Sequence, residues 1–449
     1  MSVEITPDNA VDYAQAAVDA ALASGASQAE ATLSIADRFS AEARDKAVTK
    51  LEQSTGRSLH VRVFVDGRKA ALATSDFDRG HLKDAIAAAV AQARHVASDP
   101  YTVLPEMNGA PRNADGLSLF ASDVANRDAQ SKIDEALQIE RRMREIDPRI
   151  TNSNGSHVGD SVSTIALVNS NGFAGSYRST RVHRSGSPVA LDGEAKRTGS
   201  YGSASRSLGE MESANAVAEK AVRRTVELFG ARKPATMRVP VIFERDVAAS
   251  VLSDLFAALS ASNVSVGNSW LAGRTGEKIG SDIVTIDDDG TLPGLLGTSP
   301  FDGEGVPTQR TAVFERGILK TFLYDTYYAL KLGARSTGNS TGGGVGPNNF
   351  YLHAGDRSLD ELIAGTQRGV LVLDTIGFAT EHASGTYSRG ARGFYIENGE
   401  IAYPIEEFTI AGSFPEMLGG IDAVADDLRF DGGVVSPSFR VREMTISGD

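Results

Sequence analysis

The seven histidines, at positions 60, 81, 95, 157, 183, 353 and 382, are the side chains best suited to acid–base or metal chemistry. No two of them lie three to five positions apart, so no helix can turn two imidazoles to one face, and a zinc helix of the H-E-x-x-H kind is absent. Cysteine is missing altogether, which removes thiolate ligands, thiol nucleophiles and disulfides. Gly338-Asn339-Ser340-Thr341-Gly342 matches the G-x-S-x-G pattern, but glycines follow where a nucleophile elbow needs a helix. The segment therefore reads as a glycine-rich surface loop, able at most to offer backbone N–H groups to an anion. Asp287-Asp288-Asp289-Gly290 resembles the opening of a calcium loop, yet Thr298 stands where the bidentate glutamate belongs, so a solvated turn is expected. Asp302 and Glu304, interleaved with Gly303 and Gly305, form an acidic turn. Paired carboxylates can move protons or hold a cation, but no histidine is close in sequence, and a polar loop is the plainer reading. Arg178, Arg181, Arg184, Lys196, Arg197 and Arg206 make a basic stretch, read as a solvated face or a contact for an acidic partner.

The elements that must position these groups belong to a chain of 449 residues, enough for two or three ordinary domains. With 41% apolar and 23% charged residues, sizeable cores can form and global disorder is excluded. The net charge of −13 gives no counterion-release energy on a phosphate backbone, so no nucleic-acid partner is expected. There is no apolar run of membrane-spanning length and no signal-like start, so no membrane partner is expected and the predicted location is cytoplasmic.

Thr6, Pro7 and Gly25 bracket a first helix with Val11, Ala14, Val18 and Ala21 in its stripe. Ala29 to Ile35 alternates as a strand, and Val61 to Val65, Asp66-Gly67 and Lys69 to Ala73 read as a hairpin with a type I′ turn. Helices are expected over 81–98, 128–147 and 210–229, an irregular connection over 100–125, and a Gly/Ser-rich loop over 199–209. Two Asn-Ser-Asn-Gly tetrapeptides, at 152–155 and 169–172, read as turns. Gly230 to Met237 marks a boundary, after which one long helix (246–260) precedes short strands with hairpin tips at Arg316-Gly317 and Asn398-Gly399. The fold class is α+β in two parts: a mixed α/β N-terminal half (1–232, divisible near 100–125) and a β-rich C-terminal half (233–449).

Phe301-Asp302-Gly303-Glu304-Gly305-Val306-Pro307-Thr308-Gln309 resembles the FDxEGxxTQ segment of the TldD/PmbA (TldE) family. Ala329 to Gly333, Ser336 to Asn339, and above all Gly385-Thr386-Tyr387-Ser388-Arg389-Gly390 continuing through Gly393 to Ile401, resemble further blocks, the last in the wording of the PmbA/TldE branch. Glu407 to Gly412 and Val168 to Phe173 fit as well, so the likeness extends over nearly the whole chain.

The resemblance implies proteolysis. TldD and TldE are similar subunits of a cytoplasmic zinc metallopeptidase that trims unfolded or short peptides, including peptide-antibiotic precursors and an antitoxin. The TldD-like subunit carries an HExxxH helix and a distant cysteine ligand. On the matching helix here those positions fall on Ser253, Asp254 and Ala258, and the cysteine position falls near Ser436. Alanine cannot coordinate and a neutral hydroxyl is a poor zinc ligand, so no cofactor is expected on this chain and zinc is expected in the partner subunit. The implied partners are a TldD-like paralogue, in a heterodimer or larger assembly, and an unfolded peptide, with a homodimer open to the chain alone. Asp302, Glu304, Tyr387 and Arg389 are the candidate peptide-chamber positions, with strand addition to an edge of the β-rich half as the docking mode. Two alternatives stay open: an independent hydrolase using Asp302, Glu304, His382, Tyr387 and Arg389, and a peptide-binding or regulatory module of the gyrase-modulator type.

Overall fold

The computed structural model describes residues 5–106, 114–377 and 380–448. The first four residues, and Gly109 and Pro111 of the expected irregular connection, lie outside this range.

In the N-terminal half, α1 (Ala10–Ala23) follows a short turn at Pro7–Asn9 and ends before Gly25, whose φ of +93° suits the residue after a helix. The strands β1 (Gln28–Arg44), β2 (Ala47–Val65), β3 (Arg68–Thr74), β4 (Ile150–Asn169), β5 (Ala174–Asp192), β6 (Ala195–Thr198) and β7 (Tyr201–Ser205) form one sheet. Its order is β3-β2-β1-β4-β5-β6, with β7 also beside β5, and every pairing is antiparallel. Four strands run 17–20 residues, far longer than the expected segments. Asp66 and Gly67 both have positive φ (+50° and +74°), as a type I′ turn requires. Of the two Asn-Ser-Asn-Gly tetrapeptides, only Asn169–Gly172 turns the chain. Asn152–Gly155 lies inside β4 at register shifts against β5, a bulge rather than a turn. The Gly/Ser-rich 199–209 segment likewise contains β7.

Side-chain alternation explains the layers. Ala29, Ala31, Leu33, Ile35, Phe39, Ala41 and Ala43 of β1 all point to one face and are buried. Helices α1 and α2 (Arg79–Ala93) cover the first part of that face. After the short α3 (Ser122–Ala125), α4 (Ala129–Ile146) and α5 (Ala214–Val226) cover the second. On the opposite face, the end of the sheet carrying Leu167, Phe173 and Tyr177 packs on Phe301 of the C-terminal half.

The C-terminal half opens with β8 (Met237–Phe243), α6 (Arg245–Leu259) and α7 (Ala261–Ser265). Then come β9 (Ile286–Asp289), β10 (Arg310–Glu315), β11 (Ile318–Leu319), α8 (Thr326–Lys331), β12 (Phe350–Leu352) and α9 (Leu359–Ala364). The chain closes with β13 (Arg368–Ile376), β14 (Thr380–Glu381), β15 (Thr386–Glu397), β16 (Glu400–Ser413), α10 (Phe414–Gly420), β17 (Ile421–Val424), β18 (Val434–Val435) and β19 (Phe439–Ser447). Strands run β13-β8-β19-β16-β15, and β15 pairs back onto β13, so five strands close into a barrel. A second sheet has the order β11-β10-β9-β12-β18. Helix α6 sends Val247, Val251, Leu252, Leu255 and Leu259 into the core shared with Phe243, Phe350, Phe414 and Phe439. The class is α+β with a β-rich C-terminal half.

The five barrel strands of the C-terminal half leave no free edge between them, and the second sheet there is open at the short strands β11 and β18. Among the described residues, the long open edge belongs instead to residues 47–56 of β2, which pair with β1 on one side and have no strand on the other. No helix among the described residues is long and apolar enough to cross a membrane.

Candidate functional site

The acidic segments are buried, not solvated. Asp287, Asp288 and Asp289 form strand β9 and are at most 4% exposed, which overturns the expected turn. Their carboxyls go different ways. Asp288 accepts from Asn339 Nδ2 (2.7 Å), Asn348 Nδ2 (3.0 Å) and Asn348 N (2.9 Å). Burial lifts it to about 6 against those hydrogen bonds. Asp287 is bonded by His353 Nε2 (2.9 Å) and Arg310 Nε (2.8 Å), which outweigh burial and hold its carboxyl below the ordinary value.

Asp302 and Glu304 sit at the junction of the two halves, both buried. Asp302 Oδ1 accepts from the backbone N–H of Glu304 (2.9 Å) and Val306 (3.0 Å), and Oδ2 from that of Ser340 (2.9 Å). Gly303 permits this close crossing: a Cβ there would lie 2.4 Å from the nitrogen of Gly342. Burial and the nearby Glu304 push Asp302 up to about 8 despite its three N–H donors. Glu304 Oε2 accepts from the N–H of Thr326 (3.0 Å), and its Oε1 lies 3.5 Å from Arg62 Nη1. Arg62, from β2, also holds Glu30 Oε1 of β1 through Nε (2.9 Å) and Nη2 (2.6 Å), and reaches the carbonyl of Gly342 (3.2 Å). Burial raises Glu30 to about 7, against the pull of Arg62. The G-x-S-x-G segment thus lies against this cluster with Asn339 and Ser340 buried, which corrects its reading as a surface loop. Ser340 is tied to Asp302 through its backbone.

The motif helix forms a second locus. Asp254, on α6, accepts from Arg389 Nη2 (2.6 Å) and from Thr380 Oγ1 (2.9 Å), so α6 is tied to β14 and β15. Arg389 also reaches the carbonyl of Gly377 (2.8 Å). Tyr387, two residues earlier in β15, is buried edge-on against Phe243 and Phe414, and that burial raises its hydroxyl pKa. Ser253 is exposed and donates to the carbonyl of Ala249 (3.1 Å). Ala258 is buried, and its carbonyl accepts from Ser269 Oγ (2.5 Å). At roughly 100° per residue, Ser253 and Ala258 stand about 140° apart around the helix. Ser436 is buried, its hydroxyl on the carbonyl of Pro437 (2.8 Å). The carbonyl of His382 accepts from the N–H of Trp270 (3.0 Å), and its ring Nδ1 is buried without a partner.

As a zinc site these positions do not fit. They offer one carboxylate already in an ion pair, two hydroxyls turned to backbone carbonyls and a methyl group, where zinc takes imidazole, thiolate or free carboxylate ligands. Among the described residues no three His, Cys, Asp or Glu side chains are grouped so as to hold a metal ion. The two loci bring Asp302 to Glu304, and Asp254 to Arg389. Sequence reading missed Arg62 and Glu30, which join the first. Only strand register could have found them, since Glu30 faces Arg62 across the β1–β2 pair.

Models of three successive domains match the chain: PmbA/TldA metallopeptidase domain 1 over residues 29–97, the central domain over 122–229 and the C-terminal domain over 236–448. A metalloprotease PmbA homologue of Haemophilus influenzae is 33% identical over 435 residues, 96% of this chain and 95% of that protein. A Bacteroides thetaiotaomicron protein named as a modulator of DNA gyrase has a crystal structure with TM-score 0.92 and 29% identity, covering 99% of this chain and 100% of the other. TldE of Thermococcus kodakarensis shares the fold at TM-score 0.88 and 24% identity, over 97% of this chain and 100% of its own.

Proposed function

The chain belongs to the PmbA/TldD metallopeptidase family, and from that premise we propose that it is the PmbA/TldE-type subunit of a two-chain zinc peptidase acting on unfolded or short peptides. In this reading the metal and the bond-breaking step belong to a TldD-like partner, and this chain completes the chamber that holds the peptide. The observation that carries it is the state of the motif helix. The position of the general base is Asp254, held by Arg389 at 2.6 Å, and Ala258 brings no donor atom at all. Arg389 and Thr380 both bond to Asp254 Oδ2, so this carboxylate ties α6 to β14 and β15.

What the chain itself supplies is a rigid wall and main-chain hydrogen bonding. The edge at residues 47–56 of β2 has no strand on its outer side among the described residues, so an extended peptide can add there as a strand whatever its side chains. That suits a substrate defined by being unfolded rather than by sequence.

Mixing tests the reading. Purified chain alone should leave an unstructured peptide intact, a TldD-type relative alone should cleave it weakly, and the mixture should cleave it with a burst of activity abolished by a zinc chelator. Cleavage by the purified chain alone that survives chelation would overturn the assignment of the peptidase step to the partner.

A further inference from the structure

On the sheet face opposite the helices, side chains from three strands are strung together. Ser40 of β1, Gly159 of β4 and His183 of β5 share one cross-strand row, and His157 of β4 stands on the next, opposite Glu42. Ser40 Oγ lies 2.9 Å from His157 Nε2, and His157 Nδ1 lies 2.8 Å from His183 Nε2. The two imidazoles stack with centroids 4.6 Å apart. Gly159 makes room for this: a Cβ there would stand 2.5 Å from Cε1 and 2.9 Å from Nε2 of His183. All three functional side chains are half-buried.

The proton order follows from the bonds. Burial, with His157 and Arg181 nearby, holds His183 down at about 4, so its ring is neutral near pH 7 and keeps one lone pair. With that lone pair on Nε2, the Nδ1–H of His157 donates to it. His157 Nε2 is then an acceptor facing the Ser40 hydroxyl. This is the order nucleophile, base, orienting group that activates a serine, with a neutral imidazole in the place more often held by a carboxylate. Ser40 opens into a hollow of about 420 Å³ bounded by Arg38, Glu52, Ser161, Arg181 and His183. Arg38 and Arg181 flank Ser161 on the neighbouring row and are solvent-exposed. Two guanidiniums beside a nucleophile suit a substrate that carries a carboxylate.

We propose that Ser40, His157 and His183 form a second, metal-independent site that hydrolyses carboxylate-bearing esters through an acyl-serine. Ser40 Oγ bonds to the acyl carbon while its proton passes to His157 Nε2. The ester C–O bond breaks, and the leaving oxygen takes that proton to depart as an alcohol. Water then attacks the acyl carbon, giving its proton to His157. The bond to Oγ breaks, the acid leaves, and Ser40 regains its proton. His183 touches no reacting atom and acts as a positioning residue for His157. Arg38 and Arg181 hold the substrate carboxylate.

The test uses the full chain, alone and with a zinc chelator present. A fluorophosphonate probe should label Ser40, as mapped by mass spectrometry, and the label should vanish in Ser40→Ala. His157→Ala should slow labelling on the order of 100-fold or more. His183→Gln, which keeps an acceptor for His157, should label near the wild-type rate, whereas His183→Phe should fall to the level of His157→Ala. On p-nitrophenyl hemisuccinate the double variant Arg38→Ala/Arg181→Ala should raise KM far more than it does on p-nitrophenyl acetate. Unchanged melting temperatures across the set confirm folding. Wild-type labelling no greater than that of Ser40→Ala overturns the site. Wild-type labelling rates in His183→Phe overturn the relay, and equal losses on the two esters overturn the anion pocket. Because the chain is alone and chelated, these outcomes stand apart from whether a partner supplies zinc.

Discussion

The motif helix and the acidic junction both bury carboxylates, and they neutralise them differently. At the helix, Asp254 meets Arg389 one to one at 2.6 Å, with the two side chains 16% and 10% exposed. At the junction, Glu30 and Glu304 share the single guanidinium of Arg62, and Asp302 has only neutral N–H donors. Charge at the helix is cancelled by a partner, so the locus is a strut between α6 and the β14–β15 segment. Charge at the junction is reduced by proton uptake, with Asp302 pushed to about 8 and Glu30 to about 7. The difference teaches that signature residues of one family can be fixed by quite separate physics, one locus clamping a helix and the other fastening the N-terminal sheet to the C-terminal half.

Substitutions at the two loci should separate them. Arg62→Ala strands two buried carboxylates and should cost about 3–5 kcal/mol in urea unfolding. Arg389→Ala leaves Asp254 with Thr380 and partial solvent access, so it should cost about 1–3 kcal/mol. Equal losses would erase the distinction between the loci.

A subtler probe is pH. Folded Asp302 and Glu30 hold protons that the unfolded chain, with carboxyls near their ordinary values, has already released. Where the native state binds more protons, stability falls as pH rises. This contribution is therefore complete below about pH 4 and lost as pH climbs through about 8, so thermal unfolding should show a declining melting temperature across that window. Asp302→Asn, which copies the protonated form, should flatten the decline; a decline as steep as wild type would show that Asp302 does not carry it. The smallest effect belongs to Ser253→Ala, whose exposed hydroxyl only bonds back to its own helix, and it should stay within about 0.5 kcal/mol.

How much of this was legible in the sequence depended on whether the signal was local. Helix α6, the Asp66-Gly67 turn and the tips at Arg316-Gly317 and Asn398-Gly399 were read correctly, because apolar spacing and positive-φ residues act over a few positions. The long strands were read only in part. In β1 the inward residues beyond Ile35 are Phe39 and small alanines, while Arg38 and Ser40 face outward, so alternation fades although the strand continues to Arg44. The Asp287–Asp289 run looked like a turn because its partners, Asn339 and Asn348, lie 51 and 60 residues from Asp288. Of the site, the family blocks pointed to Asp302, Glu304, Tyr387 and Arg389, but Arg62, Glu30 and the His157–His183 pair required cross-strand register. That register follows from turns and bulges such as the one at Asn152–Gly155, which composition does not reveal.

Whether this chain leaves the metal to a partner is decided by elemental analysis of the purified protein. Far less than one zinc per chain is expected for the protein alone, and close to one zinc per pair after co-purification with a TldD-type relative. One tightly held zinc per isolated chain, lost when Asp254 or Ser436 is replaced by alanine, would contradict it.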